Sequence, residues 1–311
     1  MSILLSTVAP VFGIMALGFI AARFRVLDEA SVRGLVLFVF NFAIPLLLFG
    51  SLAEIELPAD VSWGFMVAFY VGSGAAYVLG MAAGRLIYGR GLADQAIFGM
   101  SGAFANLVLL GVPVILTAFG PEAALPMFLI IGFHSLTFMP LTVGLIHAGR
   151  GDGVSWRHQL VEVGGAVARN PIVIGLAAGF AVNLSGLALP SGIDRIVELM
   201  GGAAVPTALF AMGASLVGYP ARGDIAPAVL LTVVKLLVHP ALVWLVAVPL
   251  LGLDGLWVTV AVLLAAMPTA VNTYLFAERY RAAPGVAART VLISSILAVL
   301  TVSALLVLLG A

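Results

Sequence analysis

The chain has 311 residues, of which 63% are hydrophobic and 9% charged, with a formal net charge of zero and a mean hydropathy of +1.21. Soluble domains carry about 25% charged residues, so this composition excludes an ordinary water-soluble protein and points to a chain solvated by lipid. The lack of cysteine excludes disulfides, thiolate chemistry and iron–sulfur ligation, and the four dispersed His residues form no metal-ligand spacing.

Apolar runs predict ten membrane spans, at 3–22, 34–52, 62–84, 95–118, 123–146, 170–189, 194–217, 225–250, 255–277 and 287–310. Crossing about 30 Å of hydrocarbon takes roughly 20 helical residues, which each run supplies. None shows the period-two alternation of a barrel strand, so the expected fold is an all-α integral membrane protein. The first run has no positive n-region and no small-residue cleavage site, and Arg23 and Arg25 follow it. It reads as a retained helix, not a signal peptide.

Twelve of the fourteen basic residues flank the odd-numbered connections: Arg23, Arg25, Arg33, Arg85, Arg90, Arg150, Arg157, Arg169, Arg222, Arg279, Arg281 and Arg289. Only Arg195 lies on the other side. The positive-inside rule makes the odd connections cytoplasmic and both termini extracytoplasmic, in an inner (plasma) membrane. The longest connection, 149–169, is centred on Ser155-Trp156-Arg157-His158, which suits either a short interfacial amphipathic helix or a plain linker. No G-x-x-x-x-G-K-[ST] motif is present, which argues against ATP-driven transport by this chain. The basic residues are scattered, and nothing suggests nucleic-acid binding.

A shift of 161 residues lays one half of the chain on the other. Ala43-Ile44-Pro45 with Leu48-Phe49 recurs as Ala204-Val205-Pro206 with Leu209-Phe210, and Pro10, Ala16, Gly18 and Phe19 map onto Pro171, Ala177, Gly179 and Phe180. The halves, 1–148 and 170–311, are joined by 149–169. Five spans in each half is an odd number, so the second copy is expected to enter the bilayer inverted, an architecture of secondary transporters.

Two spans carry helix breakers at mid-membrane. The fourth runs from Ser101 through Asn106 to Gly111-Val112-Pro113, and the ninth contains Met267-Pro268-Thr269-Ala270-Val271-Asn272-Thr273. Proline lacks an N–H and clashes with the carbonyl four residues earlier, and glycine permits a bend or close approach. Backbone that leaves the helix inside a bilayer must be satisfied by protein or water, so such segments gather around cavities. An Asn amide left unpaired in hydrocarbon costs roughly 2–7 kcal/mol. A tolerated kink and a helix–helix hydrogen bond would explain either span alone; their recurrence in paired spans favours a substrate site. Its candidate residues are Asn106, Asn272, Pro113, Pro268, Gly111, Thr269 and Thr273.

The eighth span contains Lys235, then His239 and Pro240. A Lys at a helix centre costs about 2.5–3.5 kcal/mol, so it should face the interior, a cavity or a snorkelling path; it could attract an anion or replace a coupling cation. His134 in the fifth span maps onto Ser295, with Ser294 beside it. A hydrogen-bonded structural role is the plainer reading, and His134 or His239 is the best-placed titrating group if protons are coupled. Tyr70, Tyr77, Gly72, Gly74 and Gly80 suit tight packing of the third span. No Asp or Glu lies in the middle of any span.

Taken together, Phe40-Asn41-Phe42-Ala43-Ile44-Pro45, Asn106 through Gly111-Val112-Pro113, Arg169-Asn170-Pro171, Ala204-Val205-Pro206 through Gly213-Ala214-Ser215-Leu216, and Met267-Pro268 through Asn272 resemble the auxin efflux carrier family over essentially the whole chain. That family includes plant PIN transporters and bacterial permeases labelled malonate or malate carriers. The resemblance implies ten helices, a crossover of broken fourth and ninth helices, a mobile domain from spans three to five and eight to ten, and a dimeric scaffold from spans one, two, six and seven. It also implies carboxylate binding at Asn106 and Asn272, which the residues alone had indicated.

The resulting expectation is a secondary transporter of a small organic anion, a mono- or dicarboxylate such as malonate or malate, working by alternating access without a cofactor. Protons, sodium or the membrane potential alone could drive it. The rivals are a sodium-coupled carrier of the bile acid symporter type, disfavoured by the missing buried carboxylate, and a membrane receptor or subunit that binds without flux. An intramembrane enzyme would need paired acids, H-E-x-x-H or G-x-S-x-G, none of which is present.

Overall fold

A computed structural model of the chain describes residues 7–55, 63–151, 164–165, 168–219 and 224–309. In chain order the described helices are α1 Ala9–Arg23, α2 Glu29–Glu54, α3 Gly64–Leu86, α4 Leu92–Ala103, α5 Val112–Phe119, α6 Ala124–Arg150, α7 Pro171–Ser185, α8 Ser191–Gly218, α9 Ile225–Leu250, α10 Gly255–Ala265, α11 Val271–Arg279 and α12 Pro284–Leu308. Among the described residues the sole β-type pairing is one antiparallel bridge, Ala105 to Thr269. The expected amphipathic segment at Ser155-Trp156-Arg157-His158 lies outside the described residues.

Among the described residues six helical runs are long and apolar enough to cross a membrane: Glu29–Glu54, Gly64–Leu86, Leu107–Arg150, Ser191–Gly218, Ile225–Leu250 and Pro284–Leu308. Helices α1, α7 and α10 are shorter apolar segments. The difference from ten uniform spans has local causes. The 44-residue run Leu107–Arg150 is composite: a π-helical turn Leu107–Gly111, then α5, a 3-10 turn Gly120–Ala123 and α6. Gly120 interrupts it at φ +68°, a conformation glycine adopts without strain. The predicted fourth span is divided between α4 and α5, and the predicted ninth between α10 and α11. Both breaks lie within mainly apolar runs, so averaged hydropathy reads straight through them.

Proline sets the internal texture of several helices. The π turns Val39–Ala43, Leu107–Gly111 and Val234–Val238 each precede a segment whose second residue is proline, Pro45, Pro113 and Pro240 respectively. Widening the turn before a proline relieves its clash with the carbonyl four residues back and keeps the path helical. Proline therefore bends these helices without breaking them.

The chain forms two compact units. The first comprises Met1–Ser62, Val108–Gly132 and Gly164–Gly218; the second comprises Trp63–Leu107, Phe133–Val163 and Tyr219–Ala311. Each draws on both halves of the sequence, so this division is distinct from the repeat.

In the first unit, glycine brings backbones into contact. A Cβ on Gly18 would lie 2.0 Å from the Phe210 carbonyl oxygen, and one on Gly213 would lie 1.8 Å from that of Met15, so α1 and α8 cross with no side chain between them. Helices α7 and α2 do the same: a Cβ on Gly179 would lie 2.5 Å from the Phe49 oxygen, and one on Gly175 would lie 2.5 Å from that of Pro45. Close small-residue crossings are a main source of helix association in lipid. Asn183 Nδ2 donates to the Ile55 oxygen at 2.7 Å, covering a carbonyl that the end of α2 leaves open.

The second unit is built on the hairpin of α3 and α4. Gly80 receives the Phe98 carbonyl, 2.5 Å from where a Cβ would sit, and Gly72 receives Val243 of α9. Gly74 faces open space. Tyr77 Oη donates to the Ala96 oxygen at 3.0 Å and is 2.9 Å from Thr142 Oγ1, in a buried layer with Met100, Phe104, Phe138, Val234 and Ala270. Arg90 meets Asp224 at 3.2 Å and Asp94 at 3.9 Å, and Arg150 donates to the Tyr280 carbonyl, so charge collects at connections and helix ends.

Candidate functional site

Both broken helices of the second unit stop at one place. Helix α4 ends at Ala103, and Phe104 turns extended at φ −75°, ψ 106°. Helix α10 ends at Ala265, and the chain is extended again at Ala270, φ −69°, ψ 146°, before α11 begins. The two extended segments pair: the Asn106 N–H donates to the Pro268 oxygen at 2.8 Å and the Ala270 N–H to the Phe104 oxygen at 3.0 Å. Each break thus satisfies much of the other's backbone, which a helix interrupted in lipid must find somewhere.

Side chains take up the remaining groups. The Thr269 N–H donates to Ser294 Oγ at 3.1 Å, and Thr269 Oγ1 donates to the Ser101 oxygen at 2.7 Å. The Ala105 N–H donates to His134 Nε2 at 3.0 Å, which leaves the proton of the neutral imidazole on Nδ1. Phe104 stacks on that ring at 4.6 Å and 8°. Ser294 of α12 and His134 of α6 do the same task for the two breaks; His134 maps onto Ser295, and it is the neighbouring Ser294 that makes the bond. Thr269→Val should lower the apparent thermal midpoint by the equivalent of about 1 kcal/mol, while Thr269→Ser retains most of it. His134→Ala should destabilise more than His134→Gln, which keeps an acceptor for the Ala105 N–H. A fluorescent thermal-unfolding assay on purified protein reads both comparisons.

The expected site residues fall into groups. Asn106 and Thr269 are buried at the bridge itself, Asn106 being the residue before the chain resumes helically at Leu107. Asn272 and the buried Thr273 lie in the first turn of α11, Asn272 half-buried. Pro268 contributes its carbonyl to the bridge. Gly111 and Pro113 belong to the first unit, and the departure from the helix comes at Phe104, well before them. A break at Pro113 is therefore replaced by a π turn there and a break upstream.

Lys235 and His239 are completely buried. Lys235 Nζ donates to the Ala265 oxygen at 2.5 Å and lies 2.9 Å from His239 Nδ1, whose Nε2 is 2.7 Å from Ser73 Oγ. The π turn Val234–Val238 carries the lysine. Ser73 and the Ala265 carbonyl were not singled out from the sequence, since neither a lone serine in a helix nor a backbone oxygen carries a pattern. The first unit holds a cleft of about 620 Å³ bordered by Glu54, Asp194 and Glu198. Carboxylates at its border would repel an anion.

The profile of a family described as "Membrane transport protein" matches residues 3–306. The chain belongs to that family. It is the family of auxin efflux carriers that the sequence motifs resemble. Among similar proteins, one of Rhizobium meliloti (strain 1021) named "Putative malonate transporter" is 29% identical over 300 residues, covering 96% of this chain and 93% of the relative. An "Uncharacterized transporter" of Methanothermobacter thermautotrophicus is 30% identical over 269 residues, 85% of this chain and 84% of its own. The "Lysosomal cholesterol signaling protein" of Mus musculus is 24% identical over 249 residues, 74% of this chain but 28% of that much longer protein. This membrane transport protein thus shares nearly its full length with bacterial and archaeal relatives.

Proposed function

We propose that this membrane transport protein is a secondary carrier for a small organic anion, a mono- or dicarboxylate such as malonate or malate, and works by alternating access. The observation that carries the reading is the bridge of Ala105 with Thr269, beside which two helical segments begin, each with an Asn at or before its first turn. The start of α11 carries partial positive charge, which together with the amides of Asn106 and Asn272 in the second unit suits a carboxylate. In this reading Asn106 and Asn272 donate to the carboxylate, Thr269 and Thr273 shape the pocket, and Pro268 holds the break. Pro113 and Gly111 set the direction of the chain beyond it, and Lys235, His239 and His134 set local charge.

The proposed architecture is ten spans in an inverted 5+5 repeat, with both termini extracytoplasmic in an inner membrane and a homodimeric assembly. The contacts inside the first unit support the repeat: Gly18 meets the Phe210 carbonyl and Gly179 meets that of Phe49, and the 161-residue shift exchanges one pair for the other. The malonate name of the Rhizobium relative supports the substrate class. Uptake of labelled malonate into proteoliposomes tests the reading, under a potassium–valinomycin potential and then under proton or sodium gradients. Saturable uptake accelerated by one gradient supports it and names the driving force. Absence of uptake across a panel of mono- and dicarboxylates overturns it.

A further inference from the structure

Helix α10 ends inside the second unit, and its last carbonyl groups point where no further turn exists to receive them. The backbone deals with three of them: Ala266 N–H donates to the Val262 and Leu263 oxygens and Met267 N–H to that of Leu264. The oxygen of Ala265 accepts instead from Lys235, 30 residues away in sequence. The carboxyl end of a helix carries partial negative charge and favours a cation. The second contact of the Lys235 amino group is His239 Nδ1 at 2.9 Å, and the far nitrogen of that ring, Nε2, is 2.7 Å from Ser73 Oγ.

Among the described residues no carboxylate pairs with this amino group. The acidic residues described in the second unit are Asp94, Asp224, Asp254 and Glu278; the last three are exposed, and Asp94 sits beside Arg90 at the surface. A fully buried Lys amino group held by a helix-end carbonyl and an imidazole nitrogen, with no carboxylate beside it among the described residues, has the ligand set of a bound monovalent cation. The difference is that the cation is attached to the chain.

We propose that the Lys235 ammonium is a tethered cation occupying a monovalent-cation site at the carboxyl end of α10, so that truncating the side chain leaves a site which a free primary ammonium ion fills. The site is built from Ala265 O and His239 Nδ1, and its charge completes the half-helix end without any ion being taken from solution. The link to flux rests on the transport reading above; the site itself does not. The native protein should accordingly hold its stability and its flux when sodium is replaced by N-methylglucamine.

The test uses full-length Lys235→Ala with n-propylammonium, which replaces the atoms removed. Two controls separate charge from filling: 1-propanol has the same shape without charge, and tetramethylammonium has charge without N–H donors. The variant should unfold at lower temperature than the native protein, and propylammonium at millimolar concentration should raise its midpoint by several degrees while both controls do little. Malonate flux in proteoliposomes, reduced at least about tenfold in the variant, should recover severalfold with propylammonium only. Equal rescue by 1-propanol, or native stability and flux in Lys235→Met, would overturn the tethered-cation role in favour of packing. A sodium requirement in the native carrier would overturn it too. If native protein moves no anion while propylammonium still stabilises the variant selectively, the transport reading fails and the cation site stands. A Lys235→Ala protein too unstable to isolate is replaced by Lys235→Ser, to which the same outcomes apply.

Discussion

Asn106→Ala and Asn272→Ala should each cut malonate flux at subsaturating substrate by about ten- to a hundredfold while the protein remains folded. A hydrogen bond to a charged acceptor contributes about 1.5–3 kcal/mol, and every 1.4 kcal/mol is a factor of ten. The loss should come from the side chain alone, because the main-chain bond from the Asn106 N–H to the Pro268 oxygen at 2.8 Å survives an alanine. The bridge, and with it the thermal midpoint, should therefore change little. Asn106→Asp and Asn272→Asp keep size but set a carboxylate against the substrate, and should abolish flux more completely than alanine. Uptake by proteoliposomes, with the midpoint measured in parallel, reads both. Undiminished flux in the alanine variants would move the anion away from the bridge and sink the site assignment.

Gly213→Ala should be the most destabilising single methyl in the first unit, with Gly18→Ala close behind. The added Cβ would sit 1.8 Å from the Met15 oxygen in the first case and 2.0 Å from the Phe210 oxygen in the second, distances at which α1 and α8 must part. Overpacking of this kind typically costs about 1–3 kcal/mol, and a pair of backbones has no rotamer with which to yield. For a unit of this size that is a fall of about 3–10 °C in the apparent midpoint. The double variant should lose less than the sum, since a separation forced by one methyl makes room for the other. Gly13→Ala on the same helix meets nothing within 4 Å and serves as the control. A midpoint unchanged in Gly213→Ala would mean that the crossing is not close.

Composition and span length were decisive for the class of protein: a chain with 63% hydrophobic and 9% charged residues has no soluble solution, and its apolar runs are helix-length. The neighbourhood of the helix breaks was also legible. Pro113, Pro268, Asn106 and Asn272 stand out because they are costly in a membrane helix, and three of the four lie at or beside the bridge in the second unit. The 161-residue shift relates Gly18 to Gly179 and Phe49 to Phe210, and the close approaches of Gly18 to Phe210 and of Gly179 to Phe49 follow the same pairing.

Tertiary structure alone decided where each helix stops and what receives the exposed groups. Phe104 and Ala105 are as compatible with helix as their neighbours, and the chain leaves the helix there where Pro268 and Ala270 offer it a partner segment from far along the sequence. Gly111 and Pro113, the stronger local signals, are absorbed into a π turn. The choice of Ser294 over Ser295, and of the Ala265 carbonyl as the partner of Lys235, follows from which atom points at which when the helices have packed. A propensity belongs to a residue and is written in the sequence. A hydrogen-bond partner belongs to a pair, and for groups 30 or 162 residues apart it exists only once the chain has closed between them.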